Sequence, residues 1–245
     1  MFALFLSPAM NSDAPRFRPH AIQWTPEKVR RFWDHSMAGM TDIYFAKMVG
    51  HSIVRYVSNK IPLGTALDLG CGTGGLIDHL LASGTSVYGS DQSPEAVAAV
   101  NVRFAASSGF KGAFVGTASI PPVDSVFMLE VIEHMDDATL ASAIASATKL
   151  IKRGGHLILT TPNQERLAAS ERICPDCGCT FHTMQHVRSW SATTLEAHMS
   201  VAGFRTIRCE PTLFSAHKGA KAIADRLRFR HRHKPHLVYI GQAVH

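Results

Sequence analysis

The sequence predicts a doubly wound α/β fold built on a mostly parallel sheet. Short apolar runs alternate with amphipathic stretches from residue 65 to residue 202, as strands alternate with helices in a parallel sheet. A glycine-rich turn, Gly70-x-Gly72-x-Gly74, follows the first of these runs. With 245 residues, 46% of them hydrophobic and 18% charged, the chain is long enough for one well-buried domain and short for two.

The alternation predicts seven strands and the helices that connect them. Thr25-Pro26-Glu27 and Ser93-Pro94-Glu95 are typical helix starts, with a capping hydroxyl, a proline and an acid. The predicted helices cover residues 26–35, 41–58, 74–83, 93–107, 136–152 and 191–202. The predicted strands cover residues 65–70, 86–91, 111–116, 124–129, 156–161, 204–214 and 236–244.

We expect a single domain over residues 24–245, preceded by a disordered tail at 1–23. The domain contains a helical segment at 24–60, an insert rich in Cys and His at 163–190, and a basic loop at 215–235. The first six residues are apolar but lack the charged start of a signal peptide, and Met10 is an alternative start. No apolar run approaches the roughly 20 residues that cross a bilayer, so we expect a cytoplasmic protein.

The positive charge is concentrated near the C-terminus. The net charge is +6, and residues 218–234 contain one acid, Asp225, and seven basic residues: Lys218, Lys221, Arg226, Arg228, Arg230, Arg232 and Lys234. Such a patch suggests an anionic partner, such as nucleic acid, an acidic substrate or a membrane surface. A solvated loop is the alternative interpretation.

The glycine turn is suited to binding a nucleotide-like ligand. Glycines let a backbone approach a ligand closely, because no Cβ stands in the way. The following strand ends on Asp91, 17 residues after Gly74. A carboxylate at that place can accept hydrogen bonds from ribose hydroxyls.

The order Asp68-x-Gly-x-Gly-x-Gly, helix, strand, Asp91 resembles motif I of the class I S-adenosylmethionine-dependent methyltransferases. The resemblance runs from about Trp24 to the C-terminus. It implies a Rossmann-like, doubly wound seven-strand sheet with an antiparallel terminal hairpin, an N-terminal helical cap and S-adenosylmethionine as cofactor. It implies cofactor contacts from Asp68, Gly70, Cys71, Gly72, Thr73, Gly74, Asp91, Gln92, Ala118 and Glu130. A dinucleotide-binding protein is the alternative, although its Gly-x-Gly-x-x-Gly spacing is not the one present.

A second informative stretch, Glu130-Val-Ile-Glu133-His134, follows the fourth strand. Ligands of doubly wound sheets bind at the carboxyl ends of the strands, so this stretch is expected to face the cofactor. A helical turn that began at Glu130 would place Glu130, Glu133 and His134 on one face. Two carboxylates and an imidazole suit a divalent metal. The alternative without metal is a general base, His134, oriented by a carboxylate.

This Glu-x-x-Glu-His pattern resembles two metal-assisted branches of the family. They are the ubiquinone-biosynthesis O-methyltransferases and the small-RNA 2′-O-methyltransferases. The resemblance implies a magnesium or manganese site at Glu130, Glu133, His134 and the later His186. The metal would lower the pKa of the attacking hydroxyl.

The insert carries a cysteine cluster, Cys174-Pro-Asp-Cys177-Gly-Cys179. Cys-Pro-x-Cys-Gly is typical of a zinc knuckle, and His182 is the expected fourth ligand of a structural zinc. His186 is an alternative ligand here, but it cannot complete both metal sites. A redox-active or simply reduced cluster is the other interpretation.

These patterns favour a methyltransferase that acts on oxygen, with Glu130 and His134 as catalytic residues. The preferred acceptor is a small-molecule or glycan hydroxyl. RNA is the alternative acceptor: the basic segment favours it, and the lack of an interleaved aromatic platform argues against it. A non-catalytic binding module with this fold is a third hypothesis, disfavoured because the glycine turn, Asp91 and the Glu-x-x-Glu-His pattern are all intact.

Overall fold

The computed structural model describes residues 17–40, 44–217, 219–228 and 234–244. The strands are β1 (His20–Ala21), β2 (Thr65–Leu69), β3 (Ser86–Asp91), β4 (Phe110–Val115), β5 (Val123–Leu129), β6 (Ile151–Pro162), β7 (Glu171–Ile173), β8 (Cys179–His182), β9 (Phe204–Thr212) and β10 (His236–Ala243). The α-helices are α1 (Pro26–Met40), α2 (Phe45–Ser58), α3 (Gly75–Ala82), α4 (Pro94–Phe104), α5 (Asp137–Leu150), α6 (Ala192–Val201) and α7 (Gly219–Arg228). Within these ranges, none of the helices has both the length and the apolar character needed to span a bilayer.

Seven strands form the central sheet, in the order β4-β3-β2-β5-β6-β10-β9. Strands β2 to β6 are parallel, and β10 runs antiparallel to both β6 and β9. The predicted seven-strand doubly wound sheet with a terminal antiparallel hairpin is therefore confirmed. Starting from β2, the chain adds β3 and β4 on one side of the sheet and then returns to add β5 and β6 on the other side. Strand order therefore reverses between β2 and β5, and the carboxyl ends of these two strands border a crevice.

Two apolar layers hold helices on the two faces of this sheet. One layer contains Ile53 of α2, Leu76 of α3 and Val100 of α4. The other contains Leu140 of α5 and Leu195 of α6. All five of these side chains have an exposed fraction of 0%. Burying one such side chain contributes about 1.5–3 kcal/mol, so the two layers fix the strand ends that carry the polar residues described below.

The insert contributes two strands, β7 and β8, to a second, three-stranded sheet in the order β1-β8-β7. Strand β7 pairs antiparallel with β8, and β1 pairs parallel with β8 through His20 opposite Cys179. The prediction of a disordered tail at 1–23 is thus wrong for residues 20 and 21, because the free edge of β8 offers backbone partners. Residues 1–16 of that predicted tail lie outside the described residues.

Two other boundaries differ from the sequence-based expectation. Strand β6 begins at Ile151, which pairs with Val123, and the register then shifts so that His156 pairs with Ser125. The predicted helix 136–152 therefore ends earlier, and the glycine pair after it lies in a bulge.

Ten residues of the predicted basic loop form α7, whose Ala, Lys, Leu and Arg content favours a helix. The basic residues Arg230 and Arg232 lie outside the described residues.

Candidate active site

The glycine turn joins the end of β2 to α3 and is held by β3. The N–H groups of Gly70 and Cys71 both donate to the carbonyl of Ser90, over 2.8 and 2.9 Å. Gly70, Gly72 and Gly74 have φ angles of 88°, 49° and 79°. These values lie in the left-handed region that favours glycine, which explains the glycine spacing of the motif.

The three glycines differ in what surrounds them. A Cβ at Gly70 would lie 2.9 Å from Val131 Cγ2, and one at Gly74 would lie 2.6 Å from Phe104 Cε2. Among the described residues, and leaving out its two chain neighbours, no atom lies within 4 Å of a Cβ built at Gly72. Gly70 and Gly74 are therefore required by packing within the protein, whereas the turn is open to a ligand at Gly72.

Two aspartates stand behind this turn. Asp91 accepts a hydrogen bond from the N–H of Gly72 at 2.8 Å and one from the N–H of Ser93 at 3.0 Å. Burial, with a further contribution from the charge of Asp91, raises the pKa of Asp68 to about 8. The buried Tyr44 hydroxyl has no partner among the described residues, and its pKa is raised by burial and then by the charge of Asp91.

The remaining predicted cofactor residues lie around the same strand ends. Thr73 accepts a hydrogen bond from Arg103 through its carbonyl, at 2.8 Å. Cys71 is buried, and burial raises the pKa of its thiol. Gln92 and Ala118 are exposed, just beyond β3 and β4.

The Glu-x-x-Glu-His stretch begins where β5 ends. Glu130 has a φ of 52°, and a short 3₁₀ turn covers Ile132–His134. The expectation of one helical face for Glu130, Glu133 and His134 is wrong, because the left-handed residue turns Glu130 away before the 3₁₀ turn begins. Glu130 Oε1 instead lies 3.8 Å from Nδ1 of His236.

Glu133, His134 and His186 do converge. Each offers one ligand atom, and these atoms lie within 4.8 Å of one another. Glu133 is 1% exposed, and its Oε2 accepts a hydrogen bond from Thr161 at 3.1 Å. Three of the four predicted ligands of the divalent metal are therefore brought together, and Glu130 stands apart.

The pKa values of Glu133 and His134, the two members of this group that follow β5, are both shifted in the direction that favours the neutral form. Burial raises the pKa of Glu133 well above its ordinary value, and the charge of Glu130 raises it further. Burial lowers the pKa of His134 to about 3, and His186 adds to that effect. Glu133 Oε1 and His134 Nδ1 have no hydrogen-bond partner among the described residues.

The insert and the cap close over this group. The N–H of Val187 donates to the carbonyl of Glu133 at 2.9 Å, and Gln185 Nε2 donates to the carbonyl of His134 at 2.9 Å. Trp33 of α1 donates from Nε1 to Gln185 Oε1 at 3.1 Å. The Trp33 ring also meets the His134 ring edge to face, with centroids 4.8 Å apart. The helical cap thus lies directly against the candidate metal ligands.

A second converging group contains Glu165, His182 and His186. Glu165 Oε2 lies 2.5 Å from His186 Nδ1, and Glu165 Oε1 lies 3.2 Å from His182 Nε2. Glu165 is not among the residues predicted from the sequence. Its place just beyond β6, beside β5, was the signal that could have revealed it, since polar residues at strand ends border the crevice.

The cysteines form a compact turn without His182. The N–H of Cys174 donates to the Cys179 carbonyl at 2.8 Å, and the N–H of Gly178 donates to the Cys174 carbonyl at 2.9 Å. A hydrogen bond from the Cys179 backbone lowers the pKa of Cys177, helped by contacts with the thiols of Cys174 and Cys179. His182 faces Glu165 instead. Neither converging group found in the described residues includes a cysteine.

Backbone strain is concentrated around these groups. Among the described residues, the non-glycine positions with positive φ are Glu130, Gln164 and Gln185, at 52°, 51° and 58°. Gln164 and Gln185 directly precede Glu165 and His186, and Glu130 lies three residues before Glu133. Such conformations cost about 1–3 kcal/mol each and cluster at functional sites, which supports a functional role for this region.

Comparisons with known proteins agree with this geometry. A family model described as a methyltransferase domain matches residues 41–208. A ubiquinone biosynthesis O-methyltransferase from Alkalilimnicola ehrlichii is 26% identical over 172 residues, which are 64% of this chain and 65% of that protein. The chain therefore spans less than two thirds of that relative's length.

Two solved structures share the fold. An S-adenosylmethionine-dependent methyltransferase from Clostridium acetobutylicum has a TM-score of 0.60 at 14% identity, covering 87% of this chain and 98% of that one. The glycopeptide N-methyltransferase MtfA, complexed with S-adenosylmethionine, has a TM-score of 0.59 at 18% identity, covering 79% and 94%. The family match, which covers more than half of the chain, shows that this protein belongs to the class I S-adenosylmethionine-dependent methyltransferases.

Proposed function

We propose that this methyltransferase acts on a hydroxyl oxygen, and that a divalent metal ion held by Glu133, His134 and His186 assists the transfer. The observation that carries the proposal is the convergence of one ligand atom from each of these side chains within 4.8 Å. Glu133 Oε1, which is buried and has no hydrogen-bond partner among the described residues, lies 3.9 Å from His134 Nε2. A buried polar atom left unpaired costs about 1–3 kcal/mol. A carboxylate and two imidazoles that converge in one place are a donor set that suits magnesium, manganese and related cations.

The chemistry of a metal-assisted transfer fits the arrangement of these residues. When bound, a divalent cation supplies the positive charge that lowers the pKa of a hydroxyl group held next to it. The protein's own residues orient the acceptor and exclude water. Trp33 supports this role, because its ring covers His134 from the side of the cap. An in-line methyl transfer depends mainly on such positioning.

The alternative without a metal is weaker on physical grounds. A general base works best when the pKa of its conjugate acid is near the working pH. Burial lowers the pKa of His134, which makes its imidazole a weaker proton acceptor than that of an exposed histidine. Neutral imidazole is, in contrast, the form that binds a metal.

We propose that the cofactor lies over the glycine turn, with its closest approach at Gly72. The open space beside Gly72 supports this placement. Each oxygen of Asp91 accepts a single backbone hydrogen bond, which leaves lone pairs for the ribose hydroxyls. The other contacts proposed from the motif are those of Asp68, Gly70, Cys71, Thr73, Gly74, Gln92, Ala118 and Glu130.

We propose that Glu130 contacts the cofactor and the acceptor. It is not proposed as the fourth ligand of the metal. Its position at the end of β5, beside the strand that leads into the glycine turn, supports a place between the two substrates. Its contact with Nδ1 of His236 at 3.8 Å, outside the converging group, argues against direct metal binding.

A small molecule with two neighbouring oxygens, such as a catechol, is the proposed acceptor. A metal ion can hold both oxygens at once, and the relative from Alkalilimnicola ehrlichii is named as a ubiquinone biosynthesis O-methyltransferase. The terminal ribose of RNA also carries neighbouring hydroxyls. The basic residues between 218 and 234 favour it as the second candidate acceptor.

The cysteines are proposed as a separate structural zinc site. Three thiols in a knuckle-like turn support it. His182 is not proposed as the fourth ligand, because its Nδ1 accepts from backbone N–H groups, its Nε2 lies beside Glu165, and the converging group that contains it holds no cysteine. Zinc content of the purified protein, compared with that of a Cys177→Ser variant, tests this site.

The acceptor is tested with methyl-labelled S-adenosylmethionine and three substrates: a catechol, a glycan and an RNA with a free 3′-terminal ribose. Each is assayed with manganese and with a chelator. We expect transfer to the catechol that the chelator abolishes and added manganese restores. Glu133→Gln should abolish it too, while Glu171→Gln, an exposed site in the insert, serves as the matched control. Transfer that survives the chelator in the wild type would contradict the metal, and transfer to RNA alone would select the second acceptor.

A further inference from the structure

Glu165 lies between two histidines and contacts both. Its Oε1 is 3.2 Å from His182 Nε2, and its Oε2 is 2.5 Å from His186 Nδ1. The two imidazoles stack with their centroids 4.5 Å apart and their planes at 16°. The histidine side chains are 5% and 9% exposed, and that of Glu165 is 21% exposed. A single carboxylate therefore faces two largely buried rings.

The backbone fixes the tautomer of His182. Its Nδ1 accepts hydrogen bonds from the N–H groups of Met184, at 3.1 Å, and His186, at 3.3 Å. A nitrogen that accepts these bonds carries no proton, so the proton of the neutral ring is on Nε2. Nε2 lies 3.2 Å from Glu165 Oε1 and makes no hydrogen bond to a described residue. Because Nε2 is protonated, His182 cannot donate a lone pair from that atom to a metal ion, so the Glu165, His182 and His186 group is not a second metal site.

The same carboxylate fixes the tautomer of His186. Glu165 accepts at Oε2, so Nδ1 of His186 carries the proton and Nε2 keeps its lone pair. His186 also belongs to the converging group with Glu133 and His134. Since its Nδ1 is committed to Glu165, its Nε2 is the nitrogen left for that group.

We propose that Glu165 is a positioning residue: its carboxylate, which lies beside His182, sets the tautomer and ring orientation of His186, so that His186 presents an unprotonated Nε2 to the metal. This inference rests on the metal site proposed above. A carboxylate that receives the second N–H of a metal-binding histidine raises the basicity of that ligand, and losing it lowers metal affinity.

The surrounding chain holds Glu165 in place. The N–H of Gln164 donates to the Trp190 carbonyl at 2.7 Å, and the N–H of Asn163 donates to the Pro235 carbonyl at 2.8 Å. Gln164 has a φ of 51°. This strained, tethered backbone directly before Glu165 aims the carboxylate at the two rings, as expected for a group whose direction matters.

Glu165→Gln gives a specific expectation. The backbone keeps the His182 Nε2 proton, so the glutamine oxygen should accept from His182. The glutamine NH₂ group then faces His186 Nδ1, which must become the acceptor. The His186 proton therefore moves to Nε2, where it blocks the lone pair that faces Glu133 and His134. The fold should remain, because Gln and Glu have nearly the same shape.

The test has two readouts on the full chain. Long-range proton–nitrogen NMR of the imidazoles, at mildly alkaline pH and without metal, should show His182 as the Nε2–H tautomer and His186 as the Nδ1–H tautomer. In Glu165→Gln, His186 should switch to Nε2–H. Calorimetric titration with manganese should show affinity lower by about 10- to 100-fold in this variant, with Glu171→Gln unchanged and Glu165→Asp between the two.

The outcomes separate the two proposals. Manganese binding that is equally tight in the wild type and in Glu165→Gln, or a wild-type His186 in the Nε2–H form, would overturn the role of Glu165. A wild type that binds no manganese would overturn the proposed metal site, whereas the NMR comparison would still decide whether Glu165 sets the His186 tautomer. Thermal unfolding of each variant separates these effects from loss of the fold.

Discussion

Gly72→Ala tests whether the open part of the glycine turn is where the cofactor binds. An added Cβ at this position meets no atom of the described residues within 4 Å beyond its chain neighbours, and the φ of 49° lies in the region that strains a residue with a Cβ. A residue with a Cβ in this φ region destabilises the folded state by about 1–2 kcal/mol. Replacing glycine by alanine also restricts the unfolded chain, which stabilises the folded state by about 0.4–1 kcal/mol. The free energy of unfolding should therefore fall by roughly 0–1.6 kcal/mol, while the affinity for S-adenosylmethionine should fall at least about tenfold.

Gly84→Ala is the matched control. Gly84 has a φ of 79° and likewise has no atom within 4 Å of an added Cβ, but it precedes β3 at the opposite end of that strand from Asp91. Calorimetry should give similar small stability losses for both variants and weaker cofactor binding only for Gly72→Ala. Equal affinities in the two variants would refute close approach of the cofactor at Gly72. Gly74→Ala should unfold more easily than either, because its Cβ would meet Phe104 at 2.6 Å.

Three further changes test other parts of the structure. The pKa of Asp68 rises from 3.8 to about 8 on folding, so the folded state binds this proton more tightly and stability falls as pH rises through that range. Asp68→Asn should flatten this fall in thermal unfolding scans, and an unchanged slope would contradict it. Leu76→Ala, at a fully buried site, should cost about 2–5 kcal/mol in urea unfolding, and a loss below about 1 kcal/mol would contradict the packing described. Trp33→Ala should lower the methyl-transfer rate and leave cofactor affinity unchanged, because Trp33 contacts His134 and Gln185; weaker cofactor binding would contradict that placement.

The central sheet could be read from the sequence because its signals are local. Apolar runs of strand length predicted the bounds of β2, β3 and β5 to within about one residue. The turn after β2 contains three left-handed positions, which explains the fixed spacing of its glycines. The bulge at the start of β6 could not be read in this way. It depends on the register between Val123 and Ile151, which no local pattern encodes.

The candidate site was predictable only in part, for the same reason. Glu133 and His134 were found because they follow a strand end directly, and His186 because of the family resemblance. Glu165 was missed, since its contact with His182 joins residues 17 positions apart in sequence. Strand β1 was missed because its partner, β8, is more than 150 residues away in sequence.

The central claim is that one divalent metal ion is bound by Glu133, His134 and His186 beside the cofactor. The most direct measurement is a crystal structure of the protein grown with manganese and S-adenosylhomocysteine, with anomalous diffraction recorded at the manganese edge. We expect an anomalous peak within coordination distance of these three side chains and the nucleoside over Gly72. Manganese bound elsewhere, or a cofactor-bound structure in which these three side chains contact only each other, would contradict the claim.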